Sequence, residues 1–429
     1  MPTHRDVPWR RGGRVGRILC ISLFSGVVLW LVGCPGRSGP ALTDSGRVPP
    51  VVEVRDVRVL LAAGTEPVRF HVDGPYTIRT ARGESTAQSG RGDWTEVAAG
   101  GGLHVGGRLV DEERVEIIPG RGETFELARR KEGQWSPAGR YGGRLTLLAR
   151  PGGRVLAINS VDVDTYVAGV LTRELYPDFH PEAYRAQAVA ARTYALYEMS
   201  QKAGREYDVT ATEASQVYGG LAQGRSARRA IEAVRYTRGI VCTWSSAGGE
   251  RLFCTYYSSA CGGGTQDVAA VKPVQSIPPL AGGVRCNYCR IARGEAYRWG
   301  PVRLGKEDVT RKLVARYPEL SELGALGTIE VSRRSPDGRP TRIRLVGVGG
   351  RAQEMVAENF RLAVGSRTMR STHCRIEDAG EEIVLSDGRG FGHGMGLCQW
   401  GMEGQARGGR KAAEILKFYY PGAHLTRAY

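Results

Sequence analysis

The chain lacks several features that would class it quickly. Over 429 residues there is no internal repeat and no long low-complexity segment, which disfavours a solenoid, a fibre or a disordered scaffold. The uncharged, mostly apolar run from Ile18 to Gly33 is about 16 residues long, short of the roughly 20 that a transmembrane helix needs. No dinucleotide fingerprint exists: in GRGFGHGMGLCQWG, Gly388 to Gly401, Leu397 stands where G-x-G-x-x-G after Gly392 and Gly394 requires glycine, and no P-loop lysine follows. The formal charge of +16 suggests nucleic acid first, yet the arginines are strewn along the chain with no basic helix or basic-aromatic module, so no nucleic-acid partner is expected. Nine cysteines in a chain this long do not make a small disulfide scaffold.

What is present begins at the N-terminus. Arg5, Arg10, Arg11, Arg14 and Arg17 precede the apolar run, as a charged n-region precedes an h-region, and the run ends in LVGC, Leu31 to Cys34. That tetrapeptide resembles a bacterial lipobox. Residues 1–33 then read as a lipoprotein signal peptide, Cys34 as the lipidated first residue, and 34–50 as a flexible tether. An uncleaved N-terminal anchor is the alternative, and either way the rest is exported to the cell envelope and held at the membrane. Residues 1–33 carry about +4 of the charge, leaving about +12 on the remaining 396 residues. An anionic envelope polymer or a membrane surface fits that balance; arginine spread over an exposed surface is the plainer reading.

Residues 51–150 read as many short strands separated by glycine-rich turns, among them PVRFHV, RVEIIP and GRLTLLA. From about residue 151 the pattern turns mixed. RVLAINSVDVDTYVAGVLTREL leads a strand into a short helix, and HPEAYRAQAVAARTYALYEMSQKAG predicts a long helix with Pro181 at its first position and Gly204 at its stop. Small Ala183, Ala186, Ala190 and Ala191 let another element approach that helix closely. GTIEVSRRSPDGRPTRIRLVG predicts a hairpin about SPDG, and RKAAEILKFYYPG a closing helix stopped by Pro421. The expected class is α+β, a β-rich N-terminal region followed by a mixed domain over 151–429.

Several segments together resemble the SpoIID/LytB family of bacterial cell-wall proteins, which includes lytic transglycosylases. They are INSVDVDTYVAGVLTRELYP, EAYRAQAVAARTYAL, YDVTATEASQVYGG, CTYYSSACGGGT, NFRLAVGSRTMRST and GFGHGMGLCQWGMEGQARGG, in the family's order and rough spacing from about Gly143 to Leu425. The resemblance implies peptidoglycan as ligand, a preference for strands stripped of stem peptides, and a long helix under a glycan groove. Glycoside hydrolysis normally requires two carboxylates. A lytic transglycosylase needs one: the sugar's own C6 hydroxyl attacks the anomeric carbon, and a single acid gives and then takes a proton, leaving a 1,6-anhydro end. The acid must carry a raised pKa and so needs apolar surroundings.

Glu174 in LTRELYP matches the family's catalytic glutamate; a helix-end glutamate paired with Arg173 is the structural alternative. The expected substrate-binding set is Gln187 and Arg192 on the long helix, Gln216 and Tyr218 in SQVYGG, Ser258 and Ser259 in YYSSACGGGT, and His393 and Gln399 in the glycine-rich stretch. For Arg192 the competing reading is a buried lock on backbone carbonyls, and for His393 a hydrogen bond holding its own loop. Cys254, Cys261, Cys286 and Cys289, spaced C-x6-C-x24-C-x2-C, suggest one structural zinc ion; two disulfides are the alternative in an oxidising envelope. The rival to an enzyme is a non-catalytic peptidoglycan-binding protein that recruits or stimulates a wall amidase.

Overall fold

A computed structural model of the chain describes residues 56–88, 93–111 and 113–429; the expected signal segment, Cys34 and the tether lie outside them. In Val57–Gly64 the alternation VRVLLAAG turns Val57, Val59 and Leu61 inward, as a strand with one buried face must. This strand pairs antiparallel with Arg154–Val161, that one with Arg144–Arg150, and that in turn with Arg114–Pro119, in a seven-stranded sheet. A six-stranded sheet centred on Phe125–Lys131, Val68–Val72 and Thr95–Ala99 supplies Phe70, Val97 and Leu127 to the same core.

The boundary expected at residue 150 falls inside the first sheet. Arg154–Val161 is hydrogen-bonded on both sides by strands from the N-terminal region, and the core continues without a break into the helices. Only Asp162 separates this strand from helix α1 (Val163–Glu174). Its carboxylate accepts the amides of Asp164 and Thr165 at 3.1 and 2.9 Å and so starts the helix abruptly. Helix α2 (Pro181–Gln201) has Pro181 at its first position and the His180 ring accepting the Glu182 amide as cap. It ends three residues before Gly204, which takes φ +83° in the following turn. The expected close-packing alanines, Ala183, Ala186, Ala190 and Ala191, are all fully buried, and α2 is surrounded on nearly every face by protein. Helix α3 (Ala227–Tyr236) packs against both.

Residues 299–385 form a lobe with its own core, in which Val309, Ile343, Phe360 and Ile383 are fully buried. Helices α4 (Lys306–Arg316) and α5 (Ala357–Val364) pack there on a meander of Leu326–Arg334, Pro340–Gly347 and Ala352–Val356. The first two of those strands are the hairpin expected about SPDG. The chain then returns to the first core through α6 (Gln399–Arg407) and α7 (Ala412–Tyr419), which closes just before Pro421. The architecture is α+β. No helix among the described residues is long and apolar enough to cross a membrane.

Candidate active site

A groove of about 1200 Å³ runs between the first core and the lobe. One wall carries Glu174 at the end of α1, Ser258, Ser259, His393 and Gln399; the other carries Arg316, Arg342 and Glu358 from the lobe. The glycine-rich stretch reaches this wall because Gly390, Gly392, Gly394 and Gly396 all take positive φ, between +62° and +104°. A side chain on Gly396 would collide with the Tyr256 carbonyl at 2.2 Å, so only glycine lets the loop lie so close to its neighbour.

Glu174 does not pair with Arg173. Its Oε1 accepts the Val217 amide at 3.0 Å and its Oε2 accepts Gln399 Nε2 at 3.2 Å. Burial holds the carboxyl above its ordinary value, and the charge of Glu213 raises it further, while the two hydrogen bonds pull it down. The groove therefore contains a carboxylic acid inclined to keep its proton. Of the other carboxylates lining it, Glu358 is held bidentately by Arg361 at 2.9 and 2.7 Å, and Glu213 is exposed.

His393 lines the groove with its ring committed to its own loop. Nδ1 accepts the Met395 amide at 3.0 Å and the ring also bonds the Tyr257 backbone. Burial lowers its pKa to about 4, so it is neutral at neutral pH. The Ser258 hydroxyl accepts the Gly394 amide at 3.3 Å, and the Ser259 carbonyl accepts the Trp400 amide at 2.9 Å, tying this wall to the start of α6.

Four expected substrate contacts lie elsewhere. Gln187 is fully buried inside α2, with neither side-chain polar atom partnered among the described residues. Arg192 is fully buried and donates to Asp164 at 2.9 Å and to the carbonyls of Thr237, Ile240 and Val234, which locks α1, α2 and the end of α3 together. Gln216 sits under the groove floor, accepting from the Tyr166 hydroxyl and donating to that of Tyr257. Tyr218 donates to Asn159 in the core. All four are buried between elements, and the polar groups of Arg192, Gln216 and Tyr218 are taken up by contacts that a linear motif does not display.

The cysteine set also needs correction. Cys261, Cys286 and Cys289 come together with Cys398, all buried, whereas Cys254 is outside the group and its thiol hydrogen-bonds the Tyr256 side chain. Parallel pairing of Tyr257–Ser258 with Leu397–Cys398 brings Cys398 alongside the SSACGGGT loop, a juxtaposition that spacing along the chain does not encode. Sequence reasoning likewise missed Glu213, although it lies within YDVTATEASQVYGG, and Lys272, Arg316 and Arg342, which line the groove from outside the family segments.

Residues 152–244 match the SpoIID family model, described as stage II sporulation protein. The match begins inside the first sheet, at the strand that leads into α1. An uncharacterized protein of Brachyspira hyodysenteriae is 29% identical over 372 residues, 86% of this chain and 92% of that one. Stage II sporulation protein D of Bacillus amyloliquefaciens is 24% identical, over 63% of this chain and 76% of its own. The amidase enhancer of Bacillus subtilis is 25% identical over 60% of this chain, which spans 40% of that relative's length. These matches support an assignment to the SpoIID family.

Proposed function

We propose that the groove binds peptidoglycan glycan strands and that Glu174 cleaves them without water. The observation that carries this reading is a single half-buried carboxyl of raised pKa, held by two hydrogen bonds in a groove where the other carboxylates are either ion-paired or exposed. In the proposed reaction protonated Glu174 gives its proton to the glycosidic oxygen as the bond from the muramic anomeric carbon to that oxygen breaks. The resulting carboxylate takes the proton of the same sugar's C6 hydroxyl, whose oxygen bonds to the anomeric carbon. The product ends in a 1,6-anhydro sugar, and the acid is regenerated protonated. Gln399 and the Val217 amide hold both carboxylate oxygens, which keeps the group in place through both transfers.

The groove's charge supports an anionic strand. Arg173, Lys272, Arg316 and Arg342 line it against exposed Glu213, once Glu174 and the Glu358–Arg361 pair are set aside. A glycan freed of stem peptides carries a lactyl carboxylate on every second sugar, which these cations would attract. The proposal extends to location: a lipid on Cys34 would hold the groove against the wall, and fatty-acid labelling lost in Cys34→Ser tests it.

Similarity to a protein named as an amidase enhancer favours a second reading, in which the groove binds strands and stimulates an amidase. Parent and Glu174→Gln proteins incubated with purified glycan strands, with and without an amidase, separate the two. Strand shortening by the parent and retained binding without shortening by the variant support the enzyme. Equal amidase stimulation by both proteins, with no shortening by either, supports the second reading.

A further inference from the structure

We propose that Cys261, Cys286, Cys289 and Cys398 hold one structural zinc ion that fixes the start of α6 beside the groove. This differs from the set suggested by spacing alone, and it does not depend on the reaction assigned to Glu174. The four Sγ atoms are buried and all lie within 4.8 Å of one another. Cys261 Sγ and Cys289 Sγ are 3.8 Å apart, the edge of about 3.8 Å that four sulfurs make around zinc at bonds of about 2.3 Å. The ligands come from three places in the chain: a loop, a C-x-x-C knuckle whose second cysteine lies in the 3₁₀ turn Tyr288–Ile291, and the N-cap of a helix.

The surroundings are those of thiolates. The amides of Cys261 and Gly401 point at Cys398 Sγ from 3.2 and 3.3 Å, and the Tyr419 hydroxyl lies 3.1 Å from Cys286 Sγ. Such donors bond a charged sulfur much better than a neutral thiol. Four thiolates around a divalent ion carry a net charge of two minus. The N-terminus of α6 and the fully buried guanidinium of Arg339, which donates to the Cys261 carbonyl, offset it. Gly401 completes the fit, since a Cβ there would stand 2.7 Å from Cys286 Sγ and 1.9 Å from Tyr419 Oη.

Four sulfurs leave no coordination position for water, so the ion shapes the site and takes no part in bond cleavage. Its consequence passes through the chain itself. Cys398 is followed directly by Gln399, which donates to Glu174, and the Ser259 carbonyl accepts the Trp400 amide, so the metal fixes both the acid's partner and the facing wall.

The full chain, purified without added metal, is analysed for zinc and for the alkylation state of each cysteine before and after denaturation in chelator. One zinc ion per chain is expected, with these four cysteines protected until the metal is removed. Cys254→Ser should keep the ion and Cys398→Ser should lose it. Serine is itself a strong N-cap, so the loss in Cys398→Ser would report the missing thiolate and not an uncapped helix. Should that variant fail to fold, cobalt exchanged into the parent must give the sulfur-to-cobalt charge-transfer band of a tetrahedral thiolate site. A parent protein without zinc, two disulfides among these cysteines, or zinc lost with Cys254 and kept without Cys398 would overturn the proposal.

Discussion

At the scale of single residues the proposed cleavage turns on one proton. Glu174→Gln keeps the size of the side chain, and the Gln399 amide can flip to meet it, but an amide cannot cycle a proton. Turnover on glycan strands should fall by about 10²–10⁴-fold, measured by release of shortened strands, with strand binding retained. The same change should not weaken the fold. Because burial raises the Glu174 pKa, the folded chain binds that proton more tightly than the unfolded one. The group's contribution to stability therefore declines as pH rises from the ordinary carboxyl value of about 4.3 through the raised value. Calorimetry should find Glu174→Gln at least as heat-stable as the parent at neutral pH, with the difference shrinking in acid. Glu213 offers a second test. Removing its like charge by Glu213→Gln lowers the Glu174 pKa, so the alkaline limb of the pH profile of kcat/KM should move to lower pH while the acid plateau stays within a few-fold. Loss of the plateau by about 10²-fold or more would make Glu213 a second catalytic carboxylate.

At the scale of elements, the limits of sequence reading become physical. Pro181, the alanine face and Pro421 made α2 and α7 legible, because capping and small-residue packing are local and leave a local trace. The motif singled out Glu174, and the end of α1 places it in the groove. Arg192 belongs to the same kind of motif, but its guanidinium is spent on Asp164 and on carbonyls more than 40 residues away, which no spacing reveals. Arg192→Met should consequently act on the fold. It takes one of three partners from Asp164, which keeps Tyr429 and Arg238, and removes a buried donor from the carbonyls of Val234, Thr237 and Ile240, at a cost of about 1–3 kcal/mol in denaturant unfolding. Glycan affinity per folded molecule should be unchanged; a folded variant with weakened binding would return Arg192 to the substrate-binding set. Cys398 shows the same limit in reverse, since strand pairing brings it to cysteines more than 100 residues earlier.

At the scale of the whole molecule, the groove exists because a lobe with its own core stands opposite Glu174. From sequence its hairpin was readable, yet its independence was not, because a second core is visible only once Val309, Ile343, Phe360 and Ile383 are seen to bury one another. The lobe brings Arg316 to the groove, facing Lys272 on the first core. Combined Arg316→Ala and Lys272→Ala should raise KM for stem-peptide-free strands, and steepen neither the loss of kcat nor its pH profile. Binding of chitin oligosaccharides, which share the β-1,4 backbone and lack the lactyl carboxylate, should be weak and indifferent to the double change. Equal losses on both ligands would mean that these cations shape the groove and do not read charge.

Digestion in ¹⁸O-labelled water decides whether the strand is cut by its own hydroxyl or by water. Mass spectrometry of strands cut by the full chain should find new ends that are 1,6-anhydro and free of ¹⁸O. New reducing ends carrying ¹⁸O would show that water attacks, and would overturn the proposed intramolecular cleavage.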